Sequence, residues 1–304
     1  KEQISDYDII AYDPLLDSSN MSVKDWNKII KTINDNYNNY DAFIVIHGTD
    51  TLSYTASALS FGFQNLNKPI IVTGSQIPLQ KLLNDGWDNL ITSLMLASQT
   101  DIPEVMVVFD NQVFRGNRSK KISSNKINAF KSPNYPNLGN FGYLTTERTS
   151  SNKWSVSPNL NIRKIAGKPR GEMKAILYNE KNEVIVIFLT PGFNPNNIIS
   201  EIKANPNIRG AILNTFGIGD GPTSSKPFLN MLAELNNHNI LILNISQCIE
   251  GHIDTGDYET GKTMTKYNLI SGNDMTIEAG YAKLLHLMSK YDDSNGELYD
   301  NKKN

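Results

Sequence analysis

Cysteine is almost absent. Cys248 is the only one in 304 residues, so no disulfide can close within the chain and a small bridge-stapled scaffold is excluded. That usage suits a reducing compartment. Histidine is nearly as scarce, and His47, His238, His252 and His286 lack the spacing of a ligand set, so no metal is expected. No apolar run approaches the length of a membrane span, and residues 1–10 contain no signal-peptide core. Blocks of Lys or Arg are missing too. With 29 basic residues against 31 acidic ones the net charge is −2, which is not the footprint of a nucleic-acid binder. Phosphate-cradling motifs are also lacking: FGIGDGP from Phe216 and the stretch Gly251 to Gly261 have neither G-x-G-x-x-G nor G-x-x-x-x-G-K-[ST], so both read as turns and no cofactor is expected. These absences leave small polar molecules as partners.

What is present is an ordinary globular composition, 39% hydrophobic and 20% charged, in a chain long enough for two moderate cores. The rest is organised around DAFIVIHGTDTLSYTASALSFGF, Asp41 to Phe63. Phe43 to Ile46 read as a strand buried on both faces, as in the middle of a parallel sheet. Gly48 ends it. Thr49, Asp50 and Thr51 then stand at the head of a helix whose Leu52, Ala56, Leu59 and Phe63 recur at helical spacing. Taken alone, such a triplet is a helix cap. Yet the carboxyl ends of strands in open α/β sheets are also where ligands bind. The same grammar returns at Pro69 to Leu79, PIIVTGSQIPL, where Ile70 to Val72 lead into Thr73, Gly74, Ser75 and Gln76.

Ser22 to Asn38 reads as a covering helix, with Ser22 and Asp25 forming a capping pair and Val23, Trp26, Ile29, Ile30 and Ile33 on one face. A further helix runs through Ile91, Leu94 and Ala97, and Glu104 to Phe109 reads as a strand leading into a long polar segment with Arg115, Arg118, Lys120 and Lys121. That segment, by itself, is a solvated basic loop. The order βαβα predicts a right-handed wound sheet. From Gly139 to Lys168 the pattern weakens into short strands and a linker. Strand and helix patterns then resume at 184–189, 196–204, 210–213, 222–235 and 240–245, and a capped helix follows at Met275 to Ser289, with Thr276 as cap and Leu284, Leu285 and Met288 inward. The expected fold is therefore α/β, with a larger N-terminal wound, mostly parallel sheet domain over 1–167 and a smaller C-terminal α/β domain over 168–304. His47, on the organising strand, reads as a hydrogen-bonded core histidine rather than a base, since no Ser or Cys nucleophile motif pairs with it.

HGTDT followed by an apolar helix, then KPIIVTGSQIPL, resembles the bacterial asparaginase family, and DSSNM at Asp17 to Met21 with SQC at Ser246 to Cys248 resembles its type I, cytoplasmic branch. The resemblance spans nearly the whole chain. It implies hydrolysis of L-asparagine to L-aspartate and ammonia by a homodimer or homotetramer in the cytoplasm. Family members begin earlier, with a TGGTI-type turn carrying the nucleophilic threonine and a mobile lid. Neither is found ahead of Ser22, so the expectation is a chain lacking an N-terminal segment; a tail shorter than the family's suggests that part of a final helix is missing as well.

Carried over residue by residue, the resemblance makes Thr49 the second threonine and Lys121, counted back from FKSPN at Phe130 to Asn134, the proton carrier. Lys120 is the nearest wrong answer. Asp50 would orient Lys121 and bind the substrate ammonium; Asp17, Ser18 and Ser19 would hold the α-carboxylate, with Ser18 foremost; and Ser75 would receive the side-chain amide on its main-chain carbonyl. On sequence alone, Ser18-Ser19 is a plain turn. Type I members also bind asparagine at a regulatory site near the position of Cys248, where Asn214 stands in place of a basic residue. Two rival readings differ in class: a silent asparaginase-fold protein that senses asparagine or aspartate, and an amidotransferase subunit acting on charged tRNA, which would need an added RNA-contacting domain and a basic surface.

Overall fold

The computed structural model describes residues 6–142, 146–148, 154–156, 158–161, 164–254 and 259–291. Packing divides the chain into Lys1–Ile176 and Leu177–Asn304.

The first unit starts with a 3-10 turn, Ser18–Asn20, and helix α1, Val23–Asn36. The Asp25 carboxylate accepts from both the Ser22 N–H, at 2.8 Å, and the Ser22 hydroxyl, at 2.7 Å, which fixes the start of α1. Its Trp26, Ile29, Ile30 and Ile33 are buried, as the spacing predicts. Strand β1, Phe43–Ile46, hands over to helix α2, Leu52–Gly62, and Phe63 leaves that helix for a short strand β2, Phe63–Gln64. Strand β3, Ile70–Thr73, helix α3, Gly86–Gln99, and strand β4, Val105–Phe109, continue the wound pattern.

The sheet of this unit corrects one expectation. Its order is β1-β3-β4 in parallel, then three strands added antiparallel: β5, Gln112–Arg115, β8, Gly139–Asn140, and β11, Asn159–Leu160. β1 is thus an edge strand, and Ile46 is 70% exposed. The fully buried interior strands are β3 and β4, each with a sheet neighbour on both sides. A second correction concerns the polar segment after β4. The chain reverses at once through Asp110 and Asn111, with φ of 48° and 59°, so that Phe109 faces Gln112 in a two-residue hairpin. Asp and Asn tolerate this left-handed backbone better than other non-glycine residues. After a 3-10 turn at Gly116–Arg118, strands β6, Lys120–Lys121, and β7, Phe130–Lys131, pair antiparallel, as do β9, Thr146–Arg148, and β10, Trp154–Val156. Strand β12, Lys174–Ala175, pairs with β2. Residues 168–176 thus pack with the first unit, past Gly167, where the weakening of the strand and helix pattern places the expected boundary.

The second unit is a four-stranded parallel sheet in the order β13, Glu183–Phe188, β14, Ile208–Thr215, β15, Leu241–Ser246, and β16, Ile270–Ser271. Helices α4, Pro195–Ala204, α5, Lys226–Asn237, α6, Glu259–Thr265, and α7, Ile277–Lys290, connect and cover it. Ile187, Leu213, Phe228, Leu232 and Ile242 share one core. Thr276 caps α7 by accepting from the Ala279 N–H, and Leu284, Leu285 and Met288 are buried. The stretch read as a turn from Gly251 to Gly261 runs into α6, while its residues 255–258, and the tail from 292, lie outside the described residues. No helix of the described residues is long and apolar enough to cross a membrane.

Candidate active site

Three backbone turns meet where β1 and β3 end, and glycine is what lets them approach. A β-carbon on Gly48 would stand 2.5 Å from the Ser18 hydroxyl oxygen, and one on Gly74 would stand 2.1 Å from the His47 carbonyl oxygen. No side chain fits at either place. Hydrogen bonds lock the arrangement: the Thr51 hydroxyl donates to the Ser18 carbonyl at 2.6 Å, and the His47 N–H donates to the Thr73 carbonyl at 2.8 Å.

The turn after β3 has its own support. The Asp85 carboxylate accepts from the backbone N–H groups of Gln76 and Ile77, both at 2.9 Å, and Asn89 donates to the Gly74 carbonyl at 2.9 Å. Asp85 and Asn89 are both buried. Asp85 sits where an ordinary cap of α3 would, yet its carboxylate makes no cap bond to the helix backbone; it reaches back to the turn and also accepts from the Asn89 side-chain amide of α3 at 3.2 Å. Burial, then the nearby Asp85 charge, raises the pKa of Asp110.

Onto these turns the β6–β7 hairpin brings a lysine. Phe130, opposite Lys121 in the pairing, is buried and packs against Phe109 with ring centroids 4.8 Å apart, so the hairpin is anchored on the end of β4. From there Lys121 Nζ donates to Thr49 Oγ1 at 2.8 Å and to Asp50 Oδ1 at 2.7 Å. The Thr49 hydroxyl in turn donates to Gln76 Oε1 at 3.0 Å, and Gln76 Nε2 donates to the Lys126 carbonyl at 3.1 Å. Asp50 is 63% exposed at its side chain against 19% for Lys121. An ion pair this open adds little to stability, so its effect is to aim the ammonium.

The structure brings Thr49, Asp50 and Lys121 into one hydrogen-bonded set, with Ser18 tied to it through Gly48 and Thr51 and the Ser75 main chain held in the Gly74–Gln76 turn. Asp17 and Ser19 are engaged with each other: the carboxylate accepts from the Ser19 hydroxyl at 2.8 Å and from its N–H at 3.1 Å, which lowers the Asp17 pKa. Asp17 is therefore an anion at neutral pH and caps the 3-10 turn. Three residues of this set escaped the sequence reading. Gln76 lies next to the residue singled out there, and Asp85 and Asn89 fall between the Pro69–Leu79 stretch and the helix through Ile91, where nothing local marks them; only tertiary contact distinguishes them.

His47 is a core residue. Trp26 Nε1 can only donate, and it does so to Thr55 Oγ1 at 3.1 Å. Thr55 then donates to His47 Nε2, 2.9 Å away, which leaves the ring proton on Nδ1, 2.6 Å from the Gly48 carbonyl. Burial lowers the His47 pKa, so the ring is neutral. Among the described residues no three His, Cys, Asp or Glu side chains gather into a metal set. In the second unit, Asn214 is buried on β14 and donates to the carbonyls of Ile245 and Ser246, at 3.1 and 3.0 Å, while Cys248 is exposed.

Comparison with known proteins matches residues 2–154 to the family model "Asparaginase, N-terminal" and residues 183–296 to "Glutaminase/Asparaginase C-terminal domain". The L-asparaginase 1 of Escherichia coli K12 is 37% identical over 293 residues, 95% of this chain and 81% of that protein. The L-asparaginase of Dirofilaria immitis is 38% identical over 93% of this chain and 45% of its own length. Among solved structures, L-asparaginase I from Vibrio cholerae superposes with a TM-score of 0.82 at 38% identity, covering 96% of this chain and 83% of that one.

Proposed function

The chain belongs to the asparaginase family, and on that premise we propose that it is an L-asparagine amidohydrolase yielding L-aspartate and ammonia. The observation that carries the reading is the set in which Lys121 reaches Thr49 and Asp50 together.

Hydrolysis of a carboxamide adds an oxygen nucleophile to the amide carbon and expels ammonia. The nucleophile must lose a proton and the departing nitrogen must gain one. Thr49 and Lys121, in direct contact, form a relay able to take that proton and return it. Asp50 accepts from Lys121 through Oδ1 and, as a carboxylate with several acceptor sites, can also receive the substrate ammonium. Ser18, through its hydroxyl and its own backbone N–H, receives the α-carboxylate, while Asp17 engages the Ser19 hydroxyl and N–H and so shapes the turn. The main-chain carbonyl of Ser75 receives the side-chain amide. The attacking oxygen belongs, in this reading, to the threonine that the resemblance assigns to a TGGTI-type turn ahead of these residues. Assembly as a homodimer or homotetramer, a cytoplasmic location and regulation by a second asparagine near Cys248 are parts of the same proposal, the last with Asn214 in place of a basic residue.

The test is ammonia release from L-asparagine by the purified protein over a wide concentration range. Turnover is expected, and a sigmoidal curve would support the regulatory site. No ammonia at any concentration, with asparagine still raising the melting temperature, would overturn the enzymatic reading in favour of a binder.

A further inference from the structure

Thr49 has one proton and two lone pairs, and its neighbours decide where each points. While Lys121 is an ammonium, Nζ offers only protons to Thr49 and Asp50, so in that form Thr49 Oγ1 accepts from it along one lone pair. The Thr49 proton is then directed at Gln76 Oε1, 3.0 Å away. The Gln76 amide has little freedom to present anything else. Its Nε2 donates to the Lys126 carbonyl, which fixes which end of the amide faces Thr49, and its backbone N–H is held by the buried Asp85 carboxylate.

We infer that Gln76 is a positioning residue of the proton relay: by accepting from the Thr49 hydroxyl it holds that side chain in one rotamer with Oγ1 against Lys121 Nζ, so that when Lys121 is a neutral amine the hydroxyl hands its proton to Nζ as Oγ1 takes the proton leaving the nucleophile. The inference rests on the amidohydrolase reading of the same site. Without an acceptor at 76, Thr49 would be held by Lys121 alone and its hydroxyl would turn among several partners. Displacements of about an ångström in a reacting geometry cost on the order of 10²-fold in rate. Substrate binding, which falls to Asp50, Ser18 and the Ser75 main chain, would change little.

Two variants separate positioning from a merely structural bond. Gln76→Met keeps the length of the side chain and removes both hydrogen bonds. Gln76→Glu keeps an acceptor toward Thr49 but loses the donor to Lys126, and it places a negative charge beside the relay. The expected result for Gln76→Met is a fall in kcat of about 10-fold or more with KM within about threefold and an unchanged melting temperature. Gln76→Glu should retain more of kcat than Gln76→Met and move the relay's limb of the pH–kcat profile to higher pH, since added negative charge favours the protonated ammonium. A bond that only ties down the Lys126 loop would be lost equally in both variants, with no move in the profile.

A crystal structure of Gln76→Met supplies a readout that needs no turnover: Thr49 should occupy more than one rotamer. If wild-type protein releases no ammonia, the functional reading fails, and the rotamer then decides this inference separately. A single unchanged Thr49 rotamer, or Gln76→Met within about twofold of wild-type kcat in active protein, would overturn it.

Discussion

The backbone of Gly74 lies directly against the carbonyl of His47, so close that a β-carbon at 74 would be 2.1 Å from the oxygen. The atom met is backbone, pinned by the bond from the His47 N–H to Thr73, and it cannot swing aside as a side chain would. Gly74→Ala must therefore push the two turns apart. Such overpacking costs about 1–3 kcal/mol, and it separates Gln76 from Thr49. The expected outcome is a melting temperature several degrees lower and kcat/KM reduced by about 10-fold or more. Gly167→Ala, where a β-carbon meets nothing within 4 Å, is the matched control and should be silent. Wild-type rate and melting temperature in Gly74→Ala would show that the turns have slack.

Lys121→Met should separate chemistry from binding. The side chain contacts Thr49 and Asp50 through its ammonium alone, so its loss removes the proton carrier while leaving the three turns in place. A fall in kcat on the order of 10²–10⁴-fold with a small change in KM is expected. Lys120→Met should cost far less, because neighbouring residues of a strand point to opposite faces and only Lys121 stands opposite the anchoring Phe130. Steady-state kinetics on the pair decides; full activity in Lys121→Met with loss in Lys120→Met would reverse the assignment.

Asp50→Ala removes an acceptor that serves two partners in the proposed mechanism, so KM should rise and kcat should fall together. Asp50→Asn keeps an oxygen acceptor for Lys121 but not the charge that attracts an ammonium. It should therefore regain more kcat than KM relative to Asp50→Ala. A specificity constant for asparagine within about threefold of wild type in Asp50→Ala would remove Asp50 from the substrate site.

Much of this was legible in the chain because strong local signals agree with the tertiary outcome. The Ser22–Asp25 cap, the α1 face, the strands of the second unit and the Thr276 cap follow from spacing and capping chemistry alone. The position of β1 was not legible: Phe43 to Ile46 carry the apolar run of a buried strand, but sheet order depends on pairing partners that no local window contains. The β4–β5 hairpin hid behind Asp110-Asn111, whose turn chemistry was submerged in a polar stretch. At the site, Thr49 and Asp50 announce themselves by standing between a strand and a helix. Asp85 and Asn89 do not, since a carboxylate before a helix reads as its cap until the structure shows it bonded to Gln76 and Ile77.

Two histidines give the fold a pH dependence with a definite sign. Burial lowers the His47 pKa from 6.5, and burial followed by the Lys290 charge lowers that of His286 to about 4. His286 packs on α7 with the edge of its ring toward Tyr178. A depressed folded-state pKa means that, below about pH 6.5, the unfolded chain binds protons the native state refuses. The histidine contribution is therefore fully present above that pH and is lost as pH falls toward about 4. Melting temperatures measured from about pH 7.5 down to about pH 4.5 should decline, and His286→Gln, which cannot titrate, should flatten the decline even if its melting temperature at neutral pH is lower. His47→Asn should flatten it less steeply in the same window, and because Asn places a donor near the position of Nδ1 it should keep the bond to the Gly48 carbonyl. Slopes identical to wild type in both variants would mean that neither ring resists protonation in the folded protein.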